Sequence, residues 1–178
     1  ALGLDGRPVA AVVVHDGPLA RGLLALLRGR GGRVVVLDAQ RHDELTAVTQ
    51  ALTHAAVLAF GIALTELDVD VGDLAELATP PHLTMLALLA RIAGGQSETY
   101  WDVQAANPHA PRARAELASA VHRLADVIDA GTEADFAAIL AQLRDGLGPD
   151  LSAYAELCEQ IFATLHAPST TPTPSFTT

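Results

Sequence analysis

The sequence predicts a mainly α fold preceded by one short strand–helix–strand unit, and three observations carry that reading. Half of the 178 residues are apolar, yet only seven are aromatic. The core must therefore be built mostly of Ala, Leu and Val, and Ala and Leu are strong helix formers. The β-branched runs fall before residue 41, and from Arg41 onward apolar residues recur at helical spacing.

Val9–Val14 and Arg33–Leu37 read as strands. Between them Pro18–Arg28 places Leu19, Leu23, Leu26 and Leu27 on one helical face, and Gly29-Arg30-Gly31-Gly32 ends it. Such a unit makes parallel sheets. Two parallel strands alone make a poor sheet, so they must gain strands from a partner or be covered by helices. Arg41–Leu67 reads as one long, nearly unbroken helix, and a short helix follows near Val71–Ala78. Thr79 caps and Pro80 opens the next helix, to about Ala93, which Gly94-Gly95 stops. Ser97 is placed to cap a short helix through Ala106, before Pro108. Arg112–Ala130 is amphipathic along Leu117, Val121, Leu124 and Ile128, and Gly131 closes it. Thr132 and Asp135 resemble a capping box for a helix to Leu147, and a last helix covers Leu151–Leu165. Residues 1–40 thus form one segment and 41–166 a helical domain. Residues 167–178 are rich in Pro, Ser and Thr and are expected to be disordered.

A chain of this size buries roughly 70% of its unfolded surface and needs no disulfide staples. The net charge of −10 argues against nucleic acid as a partner, because phosphate binding requires a concentrated basic surface. A small anionic substrate stays possible, since one or two Arg can override the global field locally. The single Cys158 excludes a disulfide framework and a Cys-based zinc site. It is expected to be a buried small apolar residue on its helix. No apolar run reaches the ~18 residues that span a bilayer, and the N-terminus lacks a signal-peptide pattern. A cytoplasmic protein is the expectation.

Counting about 100° per residue, Asp43, Gln50 and His54 lie within about 40° of one another on the long helix. Aligned polar residues on an Ala/Leu/Val helix are costly unless paired or facing a cavity. On spacing alone, Asp43 as a helix cap and His54 as a satisfied core histidine outweigh a site. His42 precedes this stripe at the strand-to-helix junction. Arg91 sits in an otherwise apolar helix, where it must snorkel, pair with an acid or bind an anion. A guanidinium suits a carboxylate through two parallel hydrogen bonds. Trp101 and Gln104, three apart, share one face of the short helix, although a lone Trp is more often core than site.

His42-Asp43-Glu44, Gln50-Ala51-Leu52-Thr53-His54, Arg91-Ile92-Ala93-Gly94-Gly95-Gln96 and Tyr100-Trp101-Asp102-Val103-Gln104 with Asn107-Pro108 together resemble the prephenate and arogenate dehydrogenase family. Their order and spacing fit its C-terminal helical domain from about Arg41 to Leu165. The segment Arg7–Leu37 resembles the end of its nucleotide-binding domain, a truncated Rossmann-like βαβ remnant. The resemblance implies an intertwined homodimer that binds a cyclohexadienyl acid. It implies that His54 contacts substrate, that Arg91 holds a substrate carboxylate, and that His42, Asp43, Gln50, Trp101 and Gln104 support or line the pocket.

The family's first strand is followed by G-x-G-x-x-G, whose amides cradle the cofactor pyrophosphate. That motif is absent here, as is the family's catalytic His-Pro segment, so NAD(P) is not expected as a cofactor of these residues. Three functions follow. The first is a stand-alone enzyme that handles prephenate, or a related cyclic or aromatic acid, by decarboxylation, dehydration or isomerisation, with His54 moving the proton and Arg91 anchoring the carboxylate. The second is a non-catalytic binding or regulatory dimer. The third is a fragment of an NAD(P)-dependent prephenate dehydrogenase. A haem or metal site built from some of the seven His is the remotest alternative, because His42 and His54 lie 12 residues and about 120° apart.

Overall fold

The computed structural model describes residues 3–166, the side chains of Val71, Ala75 and His166 excepted. The expected disordered tail, 167–178, lies outside the described residues. The chain is mainly helical with a two-stranded parallel sheet at its start, as its sequence predicts. Strand β1 (Pro8–Val12) leads through helix α1 (Pro18–Gly29) to strand β2 (Arg33–Leu37). The register runs from Pro8 beside Arg33 to Val12 beside Leu37. The connection turns at Gly31, whose φ of +81° favours glycine, and its carbonyl accepts from Gly6 N at 2.9 Å. Leu19 is 90% exposed, and Val35 and Val36 are also exposed, so α1 leaves this small sheet largely uncovered.

Helix α2 (Ala39–Thr46) runs into a π-helical turn (Ala47–Leu52) and then α3 (Thr53–Glu66). The cap is Asp38, whose side chain accepts from Arg41 N at 2.8 Å; Asp43, expected as a cap, sits inside the helix. The run Ala39–Glu66 is by length and composition apolar enough to cross a membrane. A reading confined to uninterrupted apolar runs misses this, because Thr, Gln and His interrupt the run without adding charge. Next come α4 (Val71–Leu77), α5 (Pro80–Ala93), α6 (Ser97–Ala105) and α7 (Ala110–Ala130). A 3₁₀ turn (Gly148–Asp150) joins α8 (Glu133–Leu147) to α9 (Leu151–His166).

Most termini follow local chemistry. Thr79 and Pro80 open α5, and Thr132 with Asp135 forms a complete capping box on α8. Gln96, not Ser97, is the cap residue of α6, and it makes no side-chain cap bond. The Ser97 hydroxyl instead meets Glu98.

The residues cluster into two compact units: Ala1–Ala56 with Gln96–Leu117, and Val57–Gly95 with Ala118–Thr178. In the first, the buried residues include Ala47, Ala51 and Ala110, small side chains that let helix backbones approach closely. In the second, Val57, Gly61 and Ile92 are buried. A Cβ on Gly61 would lie 2.6 Å from Leu89 Cδ1, so glycine allows α3 and α5 to pack. Cys158 is exposed on α9, contrary to its expected burial; among the described residues, no element covers that face of the helix.

Candidate functional site

The polar residues of the first unit meet around the π turn. Thr46 on α2 donates its hydroxyl to the His42 carbonyl at 2.8 Å. Asn107 lies just past α6, where Pro108 prevents the helix from continuing. Its amide donates to the Asp43 carbonyl at 2.8 Å and to Thr46 Oγ1 at 3.0 Å. Its own carbonyl accepts from His109 N at 2.8 Å, so one side chain ties α2 to the start of α7. His42 Nδ1 stands 3.0 Å from Asp43 Oδ1, with both side chains part-exposed. Beside them, side-chain hydrogen bonds from Gln40 and then Arg41 hold the Glu44 carboxyl below its usual range.

The π turn itself is held by side chains. Thr49 Oγ1 donates to the Leu45 carbonyl at 3.0 Å, and Thr53 Oγ1 reaches the Val48 carbonyl at 3.5 Å. Gln104 of α6 donates its amide to the Ala51 carbonyl at 2.8 Å. Arg114 of α7 donates from Nη1 to both the Gln104 backbone carbonyl, at 2.7 Å, and its Oε1, at 3.0 Å. His54 follows in the first turn of α3 and meets the ring of Tyr100 edge-on, with centroids 5.2 Å apart.

Asn107 thus holds the His42–Asp43 end of this stretch, while Gln104 and Tyr100 of α6 hold its Ala51–His54 end. The even count of 100° per residue does not carry through it, because a π turn absorbs an extra residue, roughly 100° of rotation. Gln50 lies within that turn and is exposed. Trp101 is 70% exposed, not core; with Ser97, Glu98 and Asp102 it lines an open hollow on α6. Arg91 is exposed in the last turn of α5 and belongs to the second unit. Arg114 and Thr46 were not singled out by sequence reasoning, since neither spacing nor composition marks a residue whose partner lies on another helix. Among the described residues, no group of three or more His, Cys, Asp or Glu is arranged to hold a metal ion.

Fold and site define a helical domain built on one long, π-turned helix and attached to a minimal parallel sheet. Residues 38–142 match the family described as prephenate dehydrogenase, dimerization domain. The chain belongs to that family. It is 58% identical over 166 residues to a 4-amino-4-deoxyprephenate dehydrogenase of Streptomyces pristinaespiralis, an alignment covering 93% of this chain and 56% of the relative. It is 25% identical over 124 residues to a "probable arogenate/prephenate dehydrogenase" of Methanocaldococcus jannaschii, covering 70% of this chain and 28% of that one. A T-protein of Enterobacter agglomerans is 33% identical over 73 residues, 41% of this chain and 20% of its own. The chain therefore spans about half the length, or less, of the curated relatives it matches.

Proposed function

We propose that this chain is the substrate-binding and dimerising part of a dehydrogenase acting on prephenate or its 4-amino-4-deoxy analogue. The observation that carries the reading is the 58% identity to a 4-amino-4-deoxyprephenate dehydrogenase, sustained over 93% of the chain. Stand-alone decarboxylation, dehydration or isomerisation gains no support from these kinships. They favour redox chemistry, for which the described residues offer no dinucleotide cradle: the turn after β1 ends in Gly17-Pro18, where proline removes an amide from the start of α1. The nicotinamide is therefore assigned to protein outside these residues.

In this reading His54 contacts the substrate, its ring steadied by Tyr100. Arg91 anchors a carboxylate through its planar guanidinium. His42, Asp43, Gln50 and Trp101 line or support the pocket. The protein acts as a cytoplasmic homodimer. Calorimetric titration with prephenate and with its 4-amino-4-deoxy analogue tests the proposal. The chain binds at least one of them, and His54→Ala and Arg91→Ala each weaken binding about a hundredfold, the scale of a lost charge-assisted contact. Undiminished binding in both variants, or no binding by the parent chain, overturns it.

A further inference from the structure

Resting on that reading, we infer that Gln104 and Arg114 are positioning residues that set where the π turn delivers His54. A π turn is rare and is frequently found at functional sites. The threonine bonds at Thr49 and Thr53 are local, whereas Gln104 reaches the Ala51 carbonyl from 53 residues away. Ala51 is fully buried, so water does not readily replace that donor if it is lost. The Gln104 amide has only one workable orientation. Its Oε1 accepts from Arg114 Nη1 at 3.0 Å, and a flipped amide would turn its own N–H groups toward the guanidinium. The same Nη1 holds the Gln104 backbone carbonyl at 2.7 Å. Arg114 thereby fixes both ends of the residue that fixes Ala51.

His54 lies three residues beyond Ala51, at the start of α3. Its ring rests against Tyr100, and Tyr100 and Gln104 are four apart on one face of α6. One helix therefore holds the ring of His54 with an aromatic edge and its backbone approach with an amide. Both partners of Gln104 are protein groups, so its part in substrate handling is exercised through His54.

The test uses the whole 178-residue chain with ring-labelled histidine, read by ¹H–¹³C correlation spectra and by titration with prephenate and its 4-amino-4-deoxy analogue. Gln104→Met and Arg114→Met shift the His54 ring signals and leave those of exposed His122 in place. Each weakens ligand binding about tenfold, the scale of one lost hydrogen bond. Arg114→Lys recovers part of the loss, and in a His54→Ala background neither substitution weakens binding further. Unmoved His54 signals in folded Arg114→Met overturn the inference, as does a tenfold loss that persists without His54. Arg114 is exposed, so its variants remain readable if Gln104→Met does not fold. If the parent chain binds neither acid, the functional reading fails while the ring signals still decide the relay.

Discussion

The two units are organised by different forces. In the first, directional bonds from Asn107, Gln104 and Arg114 each specify a partner atom on another element. In the second, packing rests on apolar contact, as where Gly61 admits Leu89 and Phe60 meets the ring of His82 at 5.7 Å. His82 Nε2 is buried there with no hydrogen-bond partner among the described residues. Large apolar side chains of the same unit, such as Val121, Leu124 and Ile128 on α7 and Leu143 on α8, stay exposed. Directional bonds define geometry within one chain. An uncovered apolar stripe leaves geometry to be completed by association, in keeping with a family of dimerization domains.

The largest effect that would break this contrast is expected on α7. Leu124→Asp combined with Ile128→Asp places two charges on the exposed stripe. If the chain pairs through this stripe, as proposed, association weakens by more than about a thousandfold, because burying an unpaired carboxylate costs several kcal/mol. Sedimentation velocity checks it, and an unchanged dimer would place the interface elsewhere. A smaller effect is expected from Asn107→Ala, which removes the donor shared by the Asp43 carbonyl and Thr46 Oγ1 and leaves the His109 amide without its acceptor. We expect a loss of about 2–3 kcal/mol in urea unfolding. A loss under about 0.5 kcal/mol would mean that this network is ornamental.

The smallest effect falls on a directional bond in the apolar unit. Thr132→Ala removes the capping box on α8 and should cost about 1 kcal/mol. The Thr132 hydroxyl, and then its backbone amide, hold the Asp135 carboxyl below the usual aspartate range. A carboxyl depressed in the folded state stabilises it above the unfolded-state pKa, and that contribution is lost as pH falls through the lower folded value. The gap between parent and variant should therefore be full at neutral pH and narrow on acidification. Thermal unfolding at a series of pH values measures it, and a gap that widens in acid would contradict the assignment.

Much of this was legible in sequence because it is local. The Thr132–Asp135 spacing announces its box, Thr79-Pro80 announces α5, and the β-branched run Arg33–Leu37 is a strand to the residue. What depends on contacts remote in sequence was not. No periodicity reports that Ala47–Leu52 takes a wider turn, since apolar residues there satisfy either spacing. Arg114 carries no mark of its role until Gln104 is beside it. Residue type alone points Trp101 and Cys158 toward a core, while exposure depends on whether another element arrives to cover them. The motif residues His42, Asp43, His54 and Gln104 were recognisable as a set. Which protein groups each of them meets could be read only from the atoms.

The π turn also has a bearing on how this chain tolerates gaps. A π-helical turn is an α-helix carrying one residue too many. Deleting a single residue between Ala47 and Leu52 would let the helix close into regular turns, with no loop to absorb the change. Everything on the α2 side would then swing about 100° relative to His54, and the Asn107 anchor would face the wrong side of the helix. Relatives with a one-residue gap here would have to rebuild the contacts of this turn rather than inherit them, so aligning this short stretch is a sharper criterion of shared local structure than overall identity.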